Sequence, residues 1–268
     1  MSGQPARNAN FVQSLERGLA VIRAFDAEHR ELSLSEVARL AGLTRAAARR
    51  FLLTLVELGY VTVADGRFAL SPRVLELGYA YLSGLTLTEV AEPHMEELVA
   101  RVNESSSISV LDDTEIVYVV RVPTRRIMSI TLSVGTRLPA YATSMGRVLL
   151  AGLPDDELER RLARMHLLAL SNHTITDTAR LREELVRVAK QGYAAVDQEL
   201  EEGLRSLAVP IHDAAGSVVA ALNVSVHASR STMAAMRREF LPLARSTAAA
   251  IEDDLRRARG AAPVKRQL

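Results

Sequence analysis

The 268-residue chain contains no cysteine. A disulfide framework, a thiolate zinc site and a cysteine nucleophile are therefore excluded. No stretch approaches the run of about 18 apolar residues that predicts a membrane-spanning helix. The N-terminal sequence MSGQPARNANFVQ also lacks the apolar segment of a secretory signal. We therefore expect a cytoplasmic protein with no membrane partner.

Net charge is also small, at +1, so the whole chain carries no general signal for nucleic-acid binding. Residues 1–75 contain ten arginines and seven acidic residues. A GC-rich coding bias explains this mild excess as well as phosphate recognition does, because the chain has only two lysines, at 190 and 265. DNA binding must therefore be argued from motifs. With this length and 48% hydrophobic residues, two domains are expected.

The N-terminal part of the chain has the pattern of a helix-turn-helix. Apolar residues at three-to-four spacing predict a first helix over residues 14–27, with a buried face formed by Leu15, Leu19, Ile22 and Phe25. The segment Ser33–Glu36 is a capping box that predicts the start of a second helix. The sequence AGL at 41–43 interrupts this helix, and Thr44 is placed to cap a third.

The third helix is predicted over residues 45–58. Its apolar stripe consists of Ala48, Phe51, Leu52, Leu55 and Leu58. The side chains predicted to point outward are those of Arg45, Ala46, Arg49 and Arg50. After this helix, two alternating segments at 60–63 and 67–70 surround Asp65-Gly66, which predicts a tight β-hairpin. The hairpin is interpreted as a wing.

The predicted DNA-binding surface combines this helix and the wing. The major groove admits one α-helix, whose N-terminal side chains reach base edges while arginines contact phosphate or guanine. The candidate DNA-binding residues are Ser35, Thr44, Arg45, Ala46, Ala47, Arg49, Arg50 and Arg67. An ordinary three-helix bundle with a solvated arginine face is the alternative, and the predicted wing weighs against it.

The pattern changes after the wing, which sets the predicted domain boundaries. The predicted domains are a winged helix-turn-helix over residues 1–72, a linker helix over 73–87, an effector-binding domain over 88–259 and a disordered tail over 260–268. The third of these alternates helices with strands, which predicts an α+β fold with an antiparallel sheet. The predicted strands cover residues 108–111, 116–122, 128–132, 194–196, 207–211 and 218–226. Pro93 marks either a kink or the first turn of the helix at 88–102.

Within this domain, the sequence Leu138–Gly146 leads from a loop directly into a helix. Free amides at a helix start suit a carboxylate, and the hydroxyls of Thr143 and Ser144 lie beside them. Simple helix capping explains the same residues equally well. A carboxylate site at this helix start is therefore one of two interpretations that the residues leave open.

Other polar residues of the same domain also leave two interpretations open. Asn223 and Ser225 alternate on the last predicted strand, so they share one face, toward either a polar cavity or water. Arg137 and Arg205 are candidate carboxylate partners, with a surface position as the alternative. The acidic run at 199–202 is interpreted as a solvated turn or a pocket rim, because no nucleophile or phosphate loop accompanies it. The six histidines show no metal-ligand spacing.

Several separated blocks of the sequence resemble the IclR family of bacterial transcription regulators. The blocks are FVQSLERGLAVIRAF, LSLSEVARLAGLTRAAARRFLLTLVELGYV, LPAYATSMGRVLLA and QGYAAVDQELEEGLRSLAVPIHDAAGSVVAALNVSVH. TRAAARRFL and LPAYATSMGR are similar in particular to the PcaR, PcaU and PobR subgroup, which governs aromatic catabolism through protocatechuate and β-ketoadipate. Many family members carry Ser or Thr where this chain has Ala46 and Ala47, so the operator sequence is not carried over.

The resemblance implies a GAF-like effector domain, in which the helix-start loop and the segment Asp197–Ser206 line the effector pocket. The candidate effector residues are Tyr141, Thr143, Ser144, Met145, Gly146, Asp197, Arg205, Ser206, Asn223 and Ser225.

We therefore expect a transcription regulator with no catalytic residues, metal or cofactor. Its expected partners are operator DNA, a small organic acid, further copies of the chain in a dimer or a dimer of dimers, and RNA polymerase if it activates transcription. One alternative is a GAF-like enzyme such as a methionine sulfoxide reductase, but that chemistry requires the redox thiol that this chain lacks. A second alternative is an interaction protein that does not bind DNA.

Overall fold

The computed structural model describes residues 10–26, 28–77, 86–124 and 132–260. The chain divides into two compact units, Met1–Gly84 and Leu85–Leu268. The division falls inside the segment predicted as a linker. Each unit has buried apolar side chains of its own, with one cluster in the first unit and two in the second.

The first unit contains three helices and a three-stranded antiparallel sheet. In chain order its elements are α1 (Gln13–Arg23), β1 (Glu31–Ser33), α2 (Leu34–Leu40), α3 (Arg45–Glu57), β2 (Val61–Ala64) and β3 (Arg67–Leu70). The strands lie in the order β1-β3-β2. A 3₁₀ turn at Pro72–Leu75 follows, and the Ser71 hydroxyl caps it by accepting a hydrogen bond from the Arg73 amide at 3.2 Å.

Local hydrogen bonds set the starts of α2 and α3. The Ser33 hydroxyl accepts a hydrogen bond from the Glu36 amide at 3.4 Å, and the Glu36 carboxylate accepts one from the Ser33 amide at 2.7 Å. The bond from the Ser33 amide is the main cause that lowers the pKa of Glu36. The Thr44 hydroxyl accepts a hydrogen bond from the Ala47 amide at 3.2 Å. Both predicted caps are therefore present.

The β2–β3 hairpin turns at the two residues that the sequence indicated. The φ angle is 50° at Asp65 and 75° at Gly66. Both values are positive, as the central residues of a tight I′ turn require. The core of the unit packs beside this hairpin and includes Val21, Phe25, Leu32, Val37, Leu52, Leu55, Val61 and Phe68.

Three sequence predictions for the first unit are wrong. α1 ends at Arg23 rather than near residue 27. Leu15, Leu19 and Leu58 were assigned to buried faces, but they are 63%, 45% and 51% exposed. The first fully buried residue of α1 is Val21, so the N-terminal half of this helix contributes no fully buried side chain to the core of its unit. The short strand β1 was not predicted, because only its pairing with β3 defines it.

The second unit is an antiparallel sheet with helices on both faces, as predicted. Its elements are α4 (Thr86–Val102), β4 (Ser105–Asp112), β5 (Glu115–Val122), β6 (Arg137–Pro139), α5 (Ser144–Ala151), α6 (Asp155–Leu162), α7 (Thr178–Gln191), β7 (Ala194–Asp197), β8 (Leu204–His212), β9 (Val218–His227) and α8 (Met233–Gly260). The strand order is β6-β5-β4-β9-β8-β7.

Two apolar clusters lie on the two faces of this sheet. α4 and α8 contribute to one cluster, together with strand residues such as Ile108 and Leu222. α5 and α7 contribute to the other, together with strand residues such as Ile116 and Ala221. Successive side chains of a strand point to opposite faces. The polar residues at alternate positions on the second face are therefore the ones that can border a site near α5.

Some predictions for the second unit need correction. Pro93 lies in the interior of α4, so it does not start that helix. Gly260 was assigned to the tail but is the last residue of α8. Residues 128–131 of a predicted strand and 261–268 of the predicted tail lie outside the described residues. Across the described ranges, every helix is too short or too polar to cross a bilayer.

Candidate DNA-binding surface and effector pocket

α3 presents its N-terminal arginines to solvent. Arg45, Arg49 and Arg50 are exposed, and none of the three forms an ion pair with another described residue. The candidate residues around them are also at the surface: Ser35, Thr44 and Ala46 are exposed, and Ala47 is half-buried. Thr44 additionally caps the helix. The charges at this end of α3 are therefore available for phosphate or base contacts.

Arg67 is placed differently from the expectation that it reaches out from the wing. It starts β3, and its Nη2 donates a hydrogen bond to the Glu31 carbonyl at 2.6 Å. The carboxylates of Glu31 and Glu36 lie 3.8 and 3.9 Å from its guanidinium. The sequence could not show this, because β1 brings Glu31 beside the wing only through tertiary pairing.

The second unit contains a cavity of about 210 Å³ that is bordered by the start of α5, the segment 200–204 and one face of the sheet. Six candidate effector residues line it, namely Thr143, Ser144, Met145, Ser206, Asn223 and Ser225. The structure therefore brings together residues from the helix start and from two strands.

A close backbone approach positions the start of α5. A Cβ atom on Gly146 would lie 2.2 Å from the Ala140 carbonyl oxygen, so this glycine serves packing and does not line the cavity. The Thr143 hydroxyl accepts a hydrogen bond from the Gly146 amide at 3.1 Å. Ser144 is buried, and its hydroxyl has no hydrogen-bond partner among the described residues. A buried polar atom without a partner is costly, and because Ser144 borders the cavity its hydroxyl is a candidate contact for a ligand there.

Tyr141 and Arg137 lie outside the cavity wall. The Tyr141 hydroxyl donates a hydrogen bond to the Leu168 carbonyl at 2.9 Å, which fastens the loop before α5 to the chain at 168. Arg137 is 43% exposed and is ion-paired with Asp112 at 2.7 Å and Glu115 at 2.8 Å. The surface alternative for Arg137 is therefore the one that the structure shows.

Asp197 and Arg205 are also absent from the cavity wall. The Arg205 Nε donates a hydrogen bond to Asp197 at 2.7 Å, and its Nη1 donates to the carbonyls of Ala228 and Ser231, both at 2.8 Å. These bonds hold the ends of β7, β8 and β9 together. Arg205 is consequently not available as the carboxylate partner that the sequence suggested.

The acidic run divides: Glu201 and Glu202 border the cavity, as the rim interpretation has it, whereas Glu199 is buried and lies outside the cavity wall. The Glu199 carboxylate is 2.8 and 2.5 Å from the two Nη atoms of Arg147, which is 1% exposed. The Arg147 Nε donates a hydrogen bond to the Tyr141 carbonyl at 2.9 Å, and the Ile175 amide donates one to Glu199 at 3.1 Å. Sequence reasoning missed this pair. Its one signal was an arginine inside the apolar sequence MGRVLLA.

Several wall residues were not predicted. Glu104 is buried and ion-paired with Arg230 at 2.7 Å; burial raises the pKa of Glu104, and the charge of Arg230 opposes that effect. Burial also raises the pKa of Tyr118 to about 12, so its hydroxyl stays protonated at neutral pH. Together with Arg121, Glu201, Glu202 and His227, these residues form the charged and titratable part of the described cavity wall. Arg121 directly follows the apolar run VYVV, and a charged residue at that position of a strand was the available signal for a polar site.

A chain of hydrogen bonds crosses the sheet beneath the cavity. Arg121 Nη1 donates to the Ser107 hydroxyl at 3.2 Å, and the Ser107 amide donates to the Asn223 side-chain oxygen at 3.0 Å. The Asn223 Nδ2 donates to the Ser225 hydroxyl at 3.0 Å. These residues lie on β5, β4 and β9, so three strands hold the polar side chains in fixed positions.

The two units together define a class of protein. The first presents a helix-turn-helix with unpaired arginines and a wing, and the second holds a small polar-walled cavity; this combination is that of a transcription regulator with a separate small-molecule domain. Family models identify which group of regulators it is. The IclR helix-turn-helix domain matches residues 14–65, and the IclR C-terminal domain of bacterial transcriptional regulators matches residues 79–253. The chain belongs to the IclR family.

Individual relatives agree with this assignment. The Pca regulon regulatory protein of Pseudomonas putida is 46% identical over 236 residues, which cover 87% of this chain and 81% of that protein. A solved transcriptional regulator from Rhodococcus sp. RHA1 is 55% identical, with a TM-score of 0.83 over 92% of this chain and 100% of that chain. An IclR homologue from Microbacterium hydrocarbonoxydans, complexed with 4-hydroxybenzoate, is 30% identical, with a TM-score of 0.82 over 91% and 100% of the two chains.

The matched family and these relatives are transcriptional regulators and not enzymes, so the enzyme alternative is not supported. Within the described ranges, no group of three His, Asp or Glu side chains is placed to hold a metal ion.

Proposed function

We propose that a small carboxylic acid of aromatic catabolism binds in the cavity of the second unit and controls operator binding by α3 and the wing. Two relatives support this effector class: one regulates the Pca regulon, and another was solved with 4-hydroxybenzoate bound. Protocatechuate, 4-hydroxybenzoate and β-ketoadipate are the acids to test, because the sequence resembles the subgroup that governs this catabolic route.

The observation that carries the proposal is the unpartnered hydroxyl of Ser144 at the start of α5. The first turn of a helix leaves amide donors without intrahelical acceptors. The Thr143 hydroxyl accepts a hydrogen bond from the amide of Gly146, but it accepts none from the amides of Ser144 and Met145. These donors and the partial positive charge of the helix start favour an acidic oxygen group.

The size and lining of the cavity fit a single substituted ring. A cavity of about 150 Å³ holds a benzene molecule in an apolar protein core, and this cavity measures about 210 Å³. Apolar walls from Met145, Val196 and Leu200 suit the faces of a ring. Polar contacts come from Thr143, Ser144, Ser206, Asn223 and Ser225.

The regulator is proposed to act in the cytoplasm as a homodimer or a dimer of dimers. Helix-turn-helix proteins place two recognition helices in half-sites about 34–36 Å apart, so one α3 per operator is not enough. RNA polymerase is a further partner if the protein activates transcription.

Thermal unfolding of the purified full chain tests the effector class. A ligand that binds only the folded state raises the unfolding temperature, and the rise grows with the logarithm of its concentration above the Kd. We expect at least one of the three acids to raise the unfolding temperature, and 4-hydroxybenzamide to raise it less. If none of the acids changes the unfolding temperature, the effector belongs to another class of molecule.

A further inference from the structure

Arg121 lies on β5, and its side chain forms part of the cavity wall. It is half-buried, and its hydrogen bonding within the described ranges is limited to the Ser107 hydroxyl, 3.2 Å from Nη1. A guanidinium carries five N–H donors. Most of the donors of Arg121 therefore have no acceptor among the residues that the structure describes.

No acidic side chain of the chain neutralises Arg121. The segments that the structure does not describe contain neither Asp nor Glu, so every acidic side chain lies in the described ranges. None of these carboxylates lies within 4.0 Å of the Arg121 guanidinium. Among the described residues of the cavity wall, the other arginine is Arg230, and that residue is ion-paired with Glu104 at 2.7 Å.

An uncompensated charge in a half-buried site is unfavourable unless a counter-charge is supplied. Burial lowers the pKa of Arg121, but a guanidinium remains protonated at neutral pH. Ser107 holds the guanidinium in place and is itself held by the Asn223 side chain at 3.0 Å. The site is thus pre-organised for an anion, and a planar guanidinium matches a carboxylate in two parallel hydrogen bonds.

We propose that Arg121 forms an ion pair with the carboxylate of the effector, while the start of α5 binds a second oxygen group of the same molecule. Arg121 belongs to the sheet side of the cavity and Ser144 to the helix side, so one ligand can contact both. The inference rests on the proposed function, and it replaces the sequence-based placement of the carboxylate at the helix start. The effector is accordingly an acid with a second oxygen substituent, such as a hydroxybenzoate or a dicarboxylate.

Calorimetry of the full chain with 4-hydroxybenzoate and the neutral 4-hydroxybenzamide tests the ion pair. The wild type should bind the acid roughly 10- to 100-fold more tightly than the amide, the range for a charged hydrogen-bonded pair. In Arg121→Gln the acid should lose affinity by this factor, while the affinity for the amide changes by less than about threefold. Arg121→Lys should keep part of the preference for the acid over the amide, because lysine retains the positive charge but lacks the planar guanidinium that forms two parallel hydrogen bonds.

Arg137→Gln is the matched control, because Arg137 is an exposed arginine of the same domain outside the cavity wall. It should leave both affinities unchanged. An acid preference that survives in Arg121→Gln overturns the inference. Loss of that preference in Ser144→Pro instead would return the carboxylate to the helix start.

A second measurement does not require a bound acid, so it separates this inference from the proposed function. Arg121→Met removes the charge and keeps an unbranched side chain. If Arg121 serves a ligand, the ligand-free variant should unfold in urea at a midpoint equal to or above that of the wild type. A lower midpoint would show that Arg121 stabilises the fold, and the inference would be overturned whether or not the wild type binds any of the acids.

Discussion

At the scale of single residues, the buried pair of Arg147 and Glu199 organises the cavity. Arg147 fixes the turn before α5 through the Tyr141 carbonyl, and Glu199 fixes the chain at Ile175 through its amide. Both partners are almost fully buried. Removing one partner of such a pair leaves an uncompensated charge, whereas removing both can be nearly neutral.

We expect Arg147→Met and Glu199→Leu each to lower the free energy of unfolding by about 3–5 kcal/mol. The double variant should lose less than the sum of the two, because neither charge is then left alone. Urea unfolding of the full chain measures all three. Two single variants within about 1 kcal/mol of the wild type would show that solvent reaches the pair and compensates it.

Ser144 offers a graded test of the helix-start site. Its position is the first of α5, and Thr143 before it has φ −117° and ψ 145°, a conformation that suits the residue before proline. Ser144→Ala removes the hydroxyl and should weaken 4-hydroxybenzoate binding roughly 2- to 10-fold. Ser144→Pro also removes the amide, and the loss should be larger. Calorimetry should show this order with operator affinity kept.

The helix-start site is wrong if Ser144→Pro folds normally, by circular dichroism, and binds the acid with wild-type affinity. Thr143→Ala is unsuitable as a control, because Thr143 caps the same helix.

At the scale of elements, α3 and the β2–β3 wing are the parts that we propose contact the operator. Both owe their geometry to local interactions: the Thr44 cap starts α3, and two residues with positive φ close the hairpin. Mutations that act on these elements should change operator binding and leave acid binding intact, because the cavity lies wholly in the second unit.

Arg45→Ala and Arg49→Ala are expected to weaken operator binding. Loss of a base-specific arginine should cost about 1–3 kcal/mol and relax one operator position, whereas loss of a phosphate contact should reduce the salt dependence. Footprinting and salt titrations distinguish the two outcomes. Arg160→Ala, an exposed arginine of α6, is the control. Unchanged operator affinity in both α3 variants would remove the assignment of α3 as the recognition helix.

Gly66→Val tests the wing. A Cβ atom at Gly66 would meet no atom within 4 Å, so the cost of the substitution comes only from its φ of 75°. A β-branched residue adopts this conformation with strain of about 1–2 kcal/mol, whereas asparagine tolerates it better. Gly66→Val should therefore weaken operator binding, and Gly66→Asn should weaken it less. Equal losses of operator and acid affinity in Gly66→Val would indicate instead that the hairpin supports the whole chain.

At the scale of the whole molecule, the acid and the operator are expected to act on one equilibrium. If the acid changes operator affinity by some factor, the operator must change acid affinity by the same factor. The acid can change operator affinity only if it binds one conformation of the protein more tightly than another, and the two conformations differ in their affinity for the operator.

Operator affinity measured by fluorescence anisotropy should therefore change when the acid is saturating. Calorimetry on the protein–operator complex should show an equal change in acid affinity. If the acid binds but neither affinity responds to the other ligand, the cavity does not control DNA binding. The Arg45→Ala variant is a useful control, because it should retain the acid site.

Local sequence patterns predicted many elements of this molecule because the residues that interact in those elements are close together in the chain. The capping box joins residues three apart, and the hairpin turn needs only two positive φ angles. Periodicity predicted five of the strands in the second unit and their antiparallel pairing, but it missed β6, which has three residues. Local sequence also identified Thr143 and Ser144 as helix-start residues, because the first caps α5 and the second begins it.

The sequence by itself thus determined the helix-turn-helix, the α+β second domain, the family and the position of the loop that leads into α5. Only the tertiary structure decided which charged side chains meet. Arg147 forms an ion pair with Glu199, 52 positions later in the chain, and Arg205 forms one with Asp197. Arg121 has no carboxylate partner. Periodicity places a residue on a face of its own element, but it carries no information about the partner that the fold brings to that face. For this reason the sequence could only offer Arg137 and Arg205 as candidate carboxylate partners beside a surface position, whereas the packed sheet shows that both already have acidic partners and that Arg121 has none.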